Sequence, residues 1–225
     1  MNYKLSPSEL TFLYDGCKCC FYLKKVHNLA QPSMPFPSIF SKIAGLLYSY
    51  YNGKRAEDLH PDLPPGTVKY GEKWVESQNI HIPGCNNTCF IKGRVDVIIE
   101  FDDGTFGVID YKTGNPENKY SELYSRQLHS YAHALENPAQ GSLQLSPVSM
   151  LGLLYFYPTQ VSQDNIEWLS YNAKIELIET ERNDQGFLNF IGEVLTLLES
   201  SEYPESAPDC SCCKYIRESK RIDNT

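Results

Sequence analysis

Between Gly93 and Lys112 two runs of alternating polar and apolar residues meet at Asp102-Asp103-Gly104, and this segment limits the fold more than any other. A period of two marks strands, and the Asp-Asp-Gly interruption marks a turn, so an antiparallel hairpin is predicted. In the first run Arg94, Asp96 and Glu100 fall on one face, with Val95, Val97 and Ile99 on the other. Beyond the turn Asp110 and Lys112 share a face, and Tyr111 points the opposite way. If the loop has three residues with Gly104 left-handed, Phe101 pairs with Thr105 and Asp96 falls opposite Asp110. A two-residue loop would instead set Asp96 across from Tyr111. Glycine is the residue that belongs at a left-handed position, which favours the first arrangement.

Other elements fall around this hairpin. Ser6-Pro7-Ser8-Glu9 reads as a capping box that starts a short helix, ended near Gly16. After a proline-rich linker, Ile39, Phe40, Ile43, Leu46, Leu47, Tyr50 and Tyr51 recur at helical spacing, with Gly53 as terminator. Strands begin at about Lys69. An amphipathic helix is predicted from Tyr120 to Glu136, stopped at Asn137-Pro138. Val148 to Tyr157 is apolar on both faces, as a covered central strand would be. A further strand over Ile166 to Leu177 and a last helix from Asp184 complete the order. The expected class is α/β (α+β): a mixed central sheet flanked by helices. One domain spanning 1–225 is expected, with a core at about 69–180, N-terminal helices at 6–53 and a C-terminal helix and tail at 184–225 around it.

Two carboxylates at cross-strand distance repel one another unless a cation lies between them. An all-oxygen site suits Mg2+ or Mn2+, which take their remaining ligands from water and phosphate. Such an ion polarises a phosphate and acidifies bound water, and Lys112 beside it would orient that water or stabilise negative charge. Asp96, Asp110 and Lys112 therefore suit phosphodiester hydrolysis. The competing reading is a solvated hairpin face bearing a surface ion pair of little energetic value.

A formal net charge of -8 argues against a chain that coats DNA with a broad basic surface, though not against one with a local basic groove. The N-terminus lacks a signal-peptide core, and no apolar run reaches the length of a bilayer crossing, so a cytoplasmic protein with no membrane partner is expected. In that reducing compartment eight cysteines are better read as metal ligands or buried thiols than as disulfides. Cys17-x-x-Cys20 and Cys210-x-x-Cys213 have the spacing of a thiolate tetrad, with Cys19 and Cys212 as alternative ligands. Cys85 and Cys89 are read as a hairpin in preference to a second small metal pair, and the five histidines form no spaced metal motif.

Gly93-Arg94-Val95-Asp96, Val108-Ile109-Asp110-Tyr111-Lys112-Thr113-Gly114 and Arg126-Gln127-Leu128-His129-Ser130-Tyr131 resemble, in order, three motifs of RecB-type and CRISPR-associated nucleases of the PD-(D/E)xK superfamily. The opening Leu5-Ser6-Pro7-Ser8-Glu9-Leu10, with Cys17 and Phe21-Tyr22-Leu23, is similar to the start of such domains. The resemblance implies a restriction-endonuclease-like core, metal binding by Asp96, Asp110 and the Tyr111 carbonyl, and catalytic assistance from Lys112. It also implies support from Gln127 and Tyr131, which lie four residues apart on one helical face. The cysteines resemble the family's iron–sulfur staple, although that pattern usually has one early and three late cysteines, and zinc is equally compatible. Many relatives carry a histidine ligand in a Gly-x-x-His pattern where this chain has Gly45-Leu46-Leu47-Tyr48, so water or a carboxylate such as Glu57 would have to fill in. The implied function is metal-dependent hydrolysis of DNA, as an exonuclease or flap-processing enzyme on single strands or ends, with a helicase or a CRISPR or recombination protein as partner. Lys18, Lys24, Lys25, Lys54, Arg55 and Arg126 are candidate DNA contacts. The alternative is a catalytically weak nucleic-acid-binding or assembly subunit that keeps the nuclease fold.

Overall fold

The computed structural model describes residues 1–32, 37–116 and 121–223. Its strands are β1 (Asn2–Leu5), β2 (Gly66–Glu76), β3 (Thr88–Phe101), β4 (Phe106–Thr113), β5 (Val148–Asn165) and β6 (Trp168–Thr180). They form one mixed sheet in the order β1-β3-β4-β5-β6, with β2 also paired to β3. The helices are α1 (7–16), α2 (Lys18–Val26), α3 (Ser38–Tyr51), α4 (Ala56–Leu59), α5 (Ser121–Glu136), α6 (Asp184–Glu199) and α7 (Ser211–Asp223). The proline-rich segment at 33–36 and the expected helix start at Tyr120 lie outside the described residues.

The β3–β4 hairpin takes the three-residue form. Phe101 N–H donates to Thr105 O at 2.8 Å, and Gly104 has φ +84°. Val97 then pairs with Ile109 and Ile98 with Val108, which sets Asp96 opposite Asp110. β4 and β5 run parallel. Such a pair needs a long connection, and α5 supplies it. Leu128, Ala132 and Leu135 of α5, one or two turns apart, are fully buried among the β3, β4 and β5 side chains Ile98, Val108 and Leu151. On the other side of the sheet Val97, Ile99, Ile109 and Leu154 pack with Ala56 and Leu59 of α4. The helix predicted from Asp184 is capped by Asn183, whose side-chain oxygen accepts from Gly186 N at 2.8 Å.

Some sequence expectations change. Residues 2–5, assigned no element from the sequence, form a strand parallel to the first part of β3. The chain after Cys210, read as a tail, is helix α7. The alternation in β3 also breaks: Val95 packs with Ile91 and Ile98, whereas Val97 and Ile99 belong to the opposite cluster. The break coincides with Glu72 in the paired strand, whose φ of +48° twists the ribbon locally.

The capping box is formed in α1: Ser6 N–H donates to Glu9 Oε2 at 3.1 Å, and Glu9 N–H to Ser6 Oγ at 3.3 Å. The stretch Glu9–Leu13 is π-helical. Glu9 also receives Lys24 at 2.5 Å and Lys25 at 2.6 Å, tying α1 to α2. Burial alone would raise the Glu9 carboxyl, but the two ammonium groups and the Ser6 amide hold it at about 2. A carboxyl depressed on folding contributes stability above its unfolded value, and that stability is lost as pH falls toward the folded one. Glu9→Gln should therefore cost roughly 2–3 kcal/mol at pH 7 and almost nothing at pH 2. Urea unfolding at both pH values checks this, and an equal cost at both would refute it.

Candidate metal-dependent active site

Asp110 lies on β4 and is 2% exposed. Its Oδ1 accepts from Gln127 Nε2 at 2.9 Å, and that amide nitrogen also reaches Tyr131 Oη at 3.2 Å. Lys112 Nζ forms an ion pair with Asp110 Oδ2 and donates to Gln127 Oε1 at 3.1 Å. It also sits 4.1 Å from the centroid of the Tyr124 ring. α5 thus presents Gln127 and Tyr131, one turn apart, onto the Asp–Lys pair of β4. On β3, Asp96 Oδ2 accepts the Tyr111 backbone N–H at 3.0 Å. The Tyr111 side chain leaves on the opposite face, beside Ile175 and Leu177.

The electrostatics of this group are unfavourable without a cation. Asp110 Oδ2 is buried and meets the Lys112 ammonium. Burial, opposed by Lys112, raises its pKa. Burial and the neighbouring Asp110 charge push Asp96 up to about 7. A buried carboxylate oxygen facing only an ammonium, with a second carboxylate across the strand pair, fits a hard divalent cation in an oxygen site.

The register adds a carboxylate that sequence reasoning missed. Gly71 pairs with Val97 and Lys73 with Val95, so Glu72 stands directly across from Asp96. Glu72, Asp96 and Asp110 therefore occupy one row over three neighbouring strands. The Glu72 charge contributes to raising Asp96, and its Oε1 lies 3.5 Å from Arg94 Nη2. A left-handed backbone at a non-glycine residue is costly and tends to occur at functional sites.

Glu57, the carboxylate expected to fill in for the missing ligand, proves to be elsewhere. Glu57 is bound to Arg55 at 3.2 Å and accepts from Gly66 N at 3.3 Å, at the hairpin end. That end lies five residues along β3 from Asp96, about 16 Å away. Tyr48 packs its ring on Gly71, where any Cβ would overlap it. Most of the basic residues expected to meet DNA are likewise committed: Lys24 and Lys25 to Glu9, Arg55 to Asp102 at 2.6 Å, and Arg126 to Asp15 at 2.5 Å. Lys18 and Lys54 lie over the rings of Tyr14 and Tyr50.

His129 joins helices instead of lining the site. Its Nε2 accepts from Asn183 N at 2.7 Å, and its Nδ1 lies 2.8 Å from Ser125 O. Cys89 is buried in β3, and burial pushes its thiol up to about 12. Cys17, Cys20, Cys210 and Cys213 come together, and Cys19 and Cys212 stay outside the group. Burial would raise the Cys17 thiol, but hydrogen bonds from the backbone of Ala207 and Cys20 bring it to about 7.

A family model described as the PD-(D/E)XK nuclease superfamily matches residues 49–217. No curated protein matches the chain. A solved structure titled "Crystal structure of SSO0001" is similar over 88% of this chain and 77% of that one, at 14% identity and a TM-score of 0.49. No helix among the described residues is long and apolar enough to cross a membrane.

Proposed function

Because the chain belongs to the PD-(D/E)XK nuclease superfamily, we propose that residues 1–225 act as one RecB-type nuclease domain, an Mg2+- or Mn2+-dependent deoxyribonuclease working on single strands or ends. The observation that carries this reading is the buried Asp110–Lys112–Gln127–Tyr131 network, with Asp96 opposite Asp110 across the strand pair. Asp96, Asp110 and Glu72 would hold the ion, with the Tyr111 carbonyl as a further donor. When bound, the ion polarises the phosphate and lowers the pKa of a coordinated water.

The chain's own groups divide the remaining work. Lys112, anchored by Asp110 and Gln127, offers a fixed positive charge to the negative charge that develops on the phosphate. Gln127 and Tyr131 are positioning residues: they fix the carboxylate and the lysine, as the partners of metal ligands generally do. Glu72 takes the place left by Tyr48. With four of six basic candidates already paired and a net charge of -8, a helicase or a CRISPR or recombination partner would help hold the DNA.

The test is cleavage of end-labelled single-stranded and duplex DNA by purified protein in Mg2+ or Mn2+, beside Lys112→Ala. Metal-dependent cutting that falls at least about 100-fold in the variant supports the proposal. No cutting by the wild type on any substrate transfers the case to the binding subunit. Glu72→Gln should raise the Mg2+ concentration needed for half-maximal rate by about 10–100-fold. An unchanged metal titration would exclude Glu72 from the site.

A further inference from the structure

The four thiols measure the space between them. Cys20 Sγ lies 3.4 Å from Cys213 Sγ and 3.7 Å from Cys210 Sγ, and Cys17 Sγ lies 3.8 Å from Cys213 Sγ. All four lie within 4.8 Å of one another. An ion bonded to four thiolates at about 2.3 Å holds them on the edges of a tetrahedron of about 3.8 Å. In a cubane iron–sulfur cluster each thiolate binds a different iron through an outward-pointing bond, which spreads the sulfurs well beyond that spacing. The tetrad therefore has the dimensions of a one-ion site.

Its surroundings agree. Cys17 is the N-cap of α2 and Cys20 its third residue, while Cys210 immediately precedes α7 and Cys213 is the third residue there. Each Cys-x-x-Cys thus spans the first turn of a helix, where free N–H groups and the positive end of the helix favour negative charge. A tetrathiolate site around a divalent ion carries two negative charges, and two helix starts converge on it. Gln31 Nε2 contacts Cys210 Sγ at 3.9 Å. Cys17, Cys20 and Cys213 are buried in a cluster with Leu13 and Ala207 packed against it, and Cys210 is half-buried at its edge.

We infer that Cys17, Cys20, Cys210 and Cys213 bind a single structural Zn2+ that fastens α7 to the body of the protein, in place of the iron–sulfur cluster implied by the family resemblance. Zinc is the ion for which a closed tetrathiolate site is a standard structural solution. The burial pattern of α7 shows what the ion secures: over 211–222 Cys213 is the only buried residue, and Lys214, Tyr215, Ile216 and Arg217 are exposed. An isolated helix of this length is marginal in water. Tyr215 and Ile216 are exposed, and Cys213 is the buried anchor of α7. The inference rests on the tetrad alone and stands apart from the nuclease reading.

The experiment is elemental analysis of the full chain purified without added metal, with zinc-edge X-ray absorption on the same sample. One zinc per chain with four sulfurs at about 2.3 Å, and no visible absorption, is the expected result. Stoichiometric iron, acid-labile sulfide, oxygen or nitrogen scatterers around zinc, or a metal-free protein would each overturn it. Cys19→Ala and Cys212→Ala should keep the zinc, while Cys20→Ala and Cys213→Ala should lose it. If the latter pair fail to fold, the wild type under a zinc chelator substitutes for them. Proteolysis within 211–223 should then accelerate at least tenfold, and an unchanged cleavage rate would refute the fastening role.

Discussion

Asp96→Asn should lower DNA cleavage by at least about a thousandfold and, in the absence of metal, make the protein more stable than the wild type at pH 8. The first effect follows if Asp96 is a metal ligand, because neutralising one of very few donors would weaken the hold on the ion that would activate water. The second follows from the position of Asp96 in the fold. Burial and the Asp110 charge raise it to about 7, far above the value of an aspartate in an unfolded chain. Between roughly pH 4 and pH 7 the folded chain therefore holds a proton that the unfolded chain has released, so stability falls as pH rises through that window. Above it the metal-free wild type carries the full cost, on the order of 2–4 kcal/mol. Asparagine carries no charge, can still accept the Tyr111 N–H, and leaves the Asp110–Lys112 pair intact. Denaturant unfolding in chelator at pH 8 and pH 4 gives the comparison. A variant no more stable than wild type at pH 8 would mean that the two carboxylates do not oppose folding, and the case for a cation between them would weaken.

Phe21→Ala should cost about 3–5 kcal/mol, which is a large part of the stability available to an ordinary domain. Phe21 is fully buried on α2, one residue after Cys20. Its ring meets Tyr14 of α1 edge-to-face at 5.3 Å, and Tyr14 meets Phe190 of α6 in the same way at 5.3 Å. The row continues to Arg126 of α5, whose guanidinium lies 4.2 Å from the Phe190 ring. Removing Phe21 opens a cavity where three helices meet, and the rigid ring row cannot collapse into it. Thermal or urea unfolding would register the loss. A cost under about 1 kcal/mol would show that α1 and α2 are held by the Glu9 ion pairs and the cysteines, and not by this packing.

The parts of the molecule that were legible in the sequence share a cause. The β3–β4 hairpin could be read because Gly104 fixes the loop, and the loop fixes which carboxylates face each other across the strands. Gln127 and Tyr131 could be placed together because a four-residue spacing has one meaning on a helix. Glu72 was not legible: its position opposite Asp96 depends on a register shift between Val68 and Tyr70 and on a left-handed backbone that no composition announces. Helix α7 was missed because its apolar residues are few, and Tyr215, Ile216 and Ile222 were read with the cysteine-bearing tail. The ion pairs of the basic residues were not legible for a related reason. Arg126 finds Asp15 across 111 residues of chain, and a pairing of that range leaves no local trace.

The distance in sequence between the two halves of the tetrad bears on how the protein is made. Cys17 and Cys213 are 196 residues apart. At a synthesis rate of about 5–20 residues per second, the early thiols wait roughly 10–40 s for their late partners. In that interval β2, β3, β4 and α5, which carry the whole carboxylate row with Lys112, Gln127 and Tyr131, have already been translated. The strands of the candidate site are therefore made before the four thiols of the proposed zinc site are all present, so closure of that site follows their synthesis.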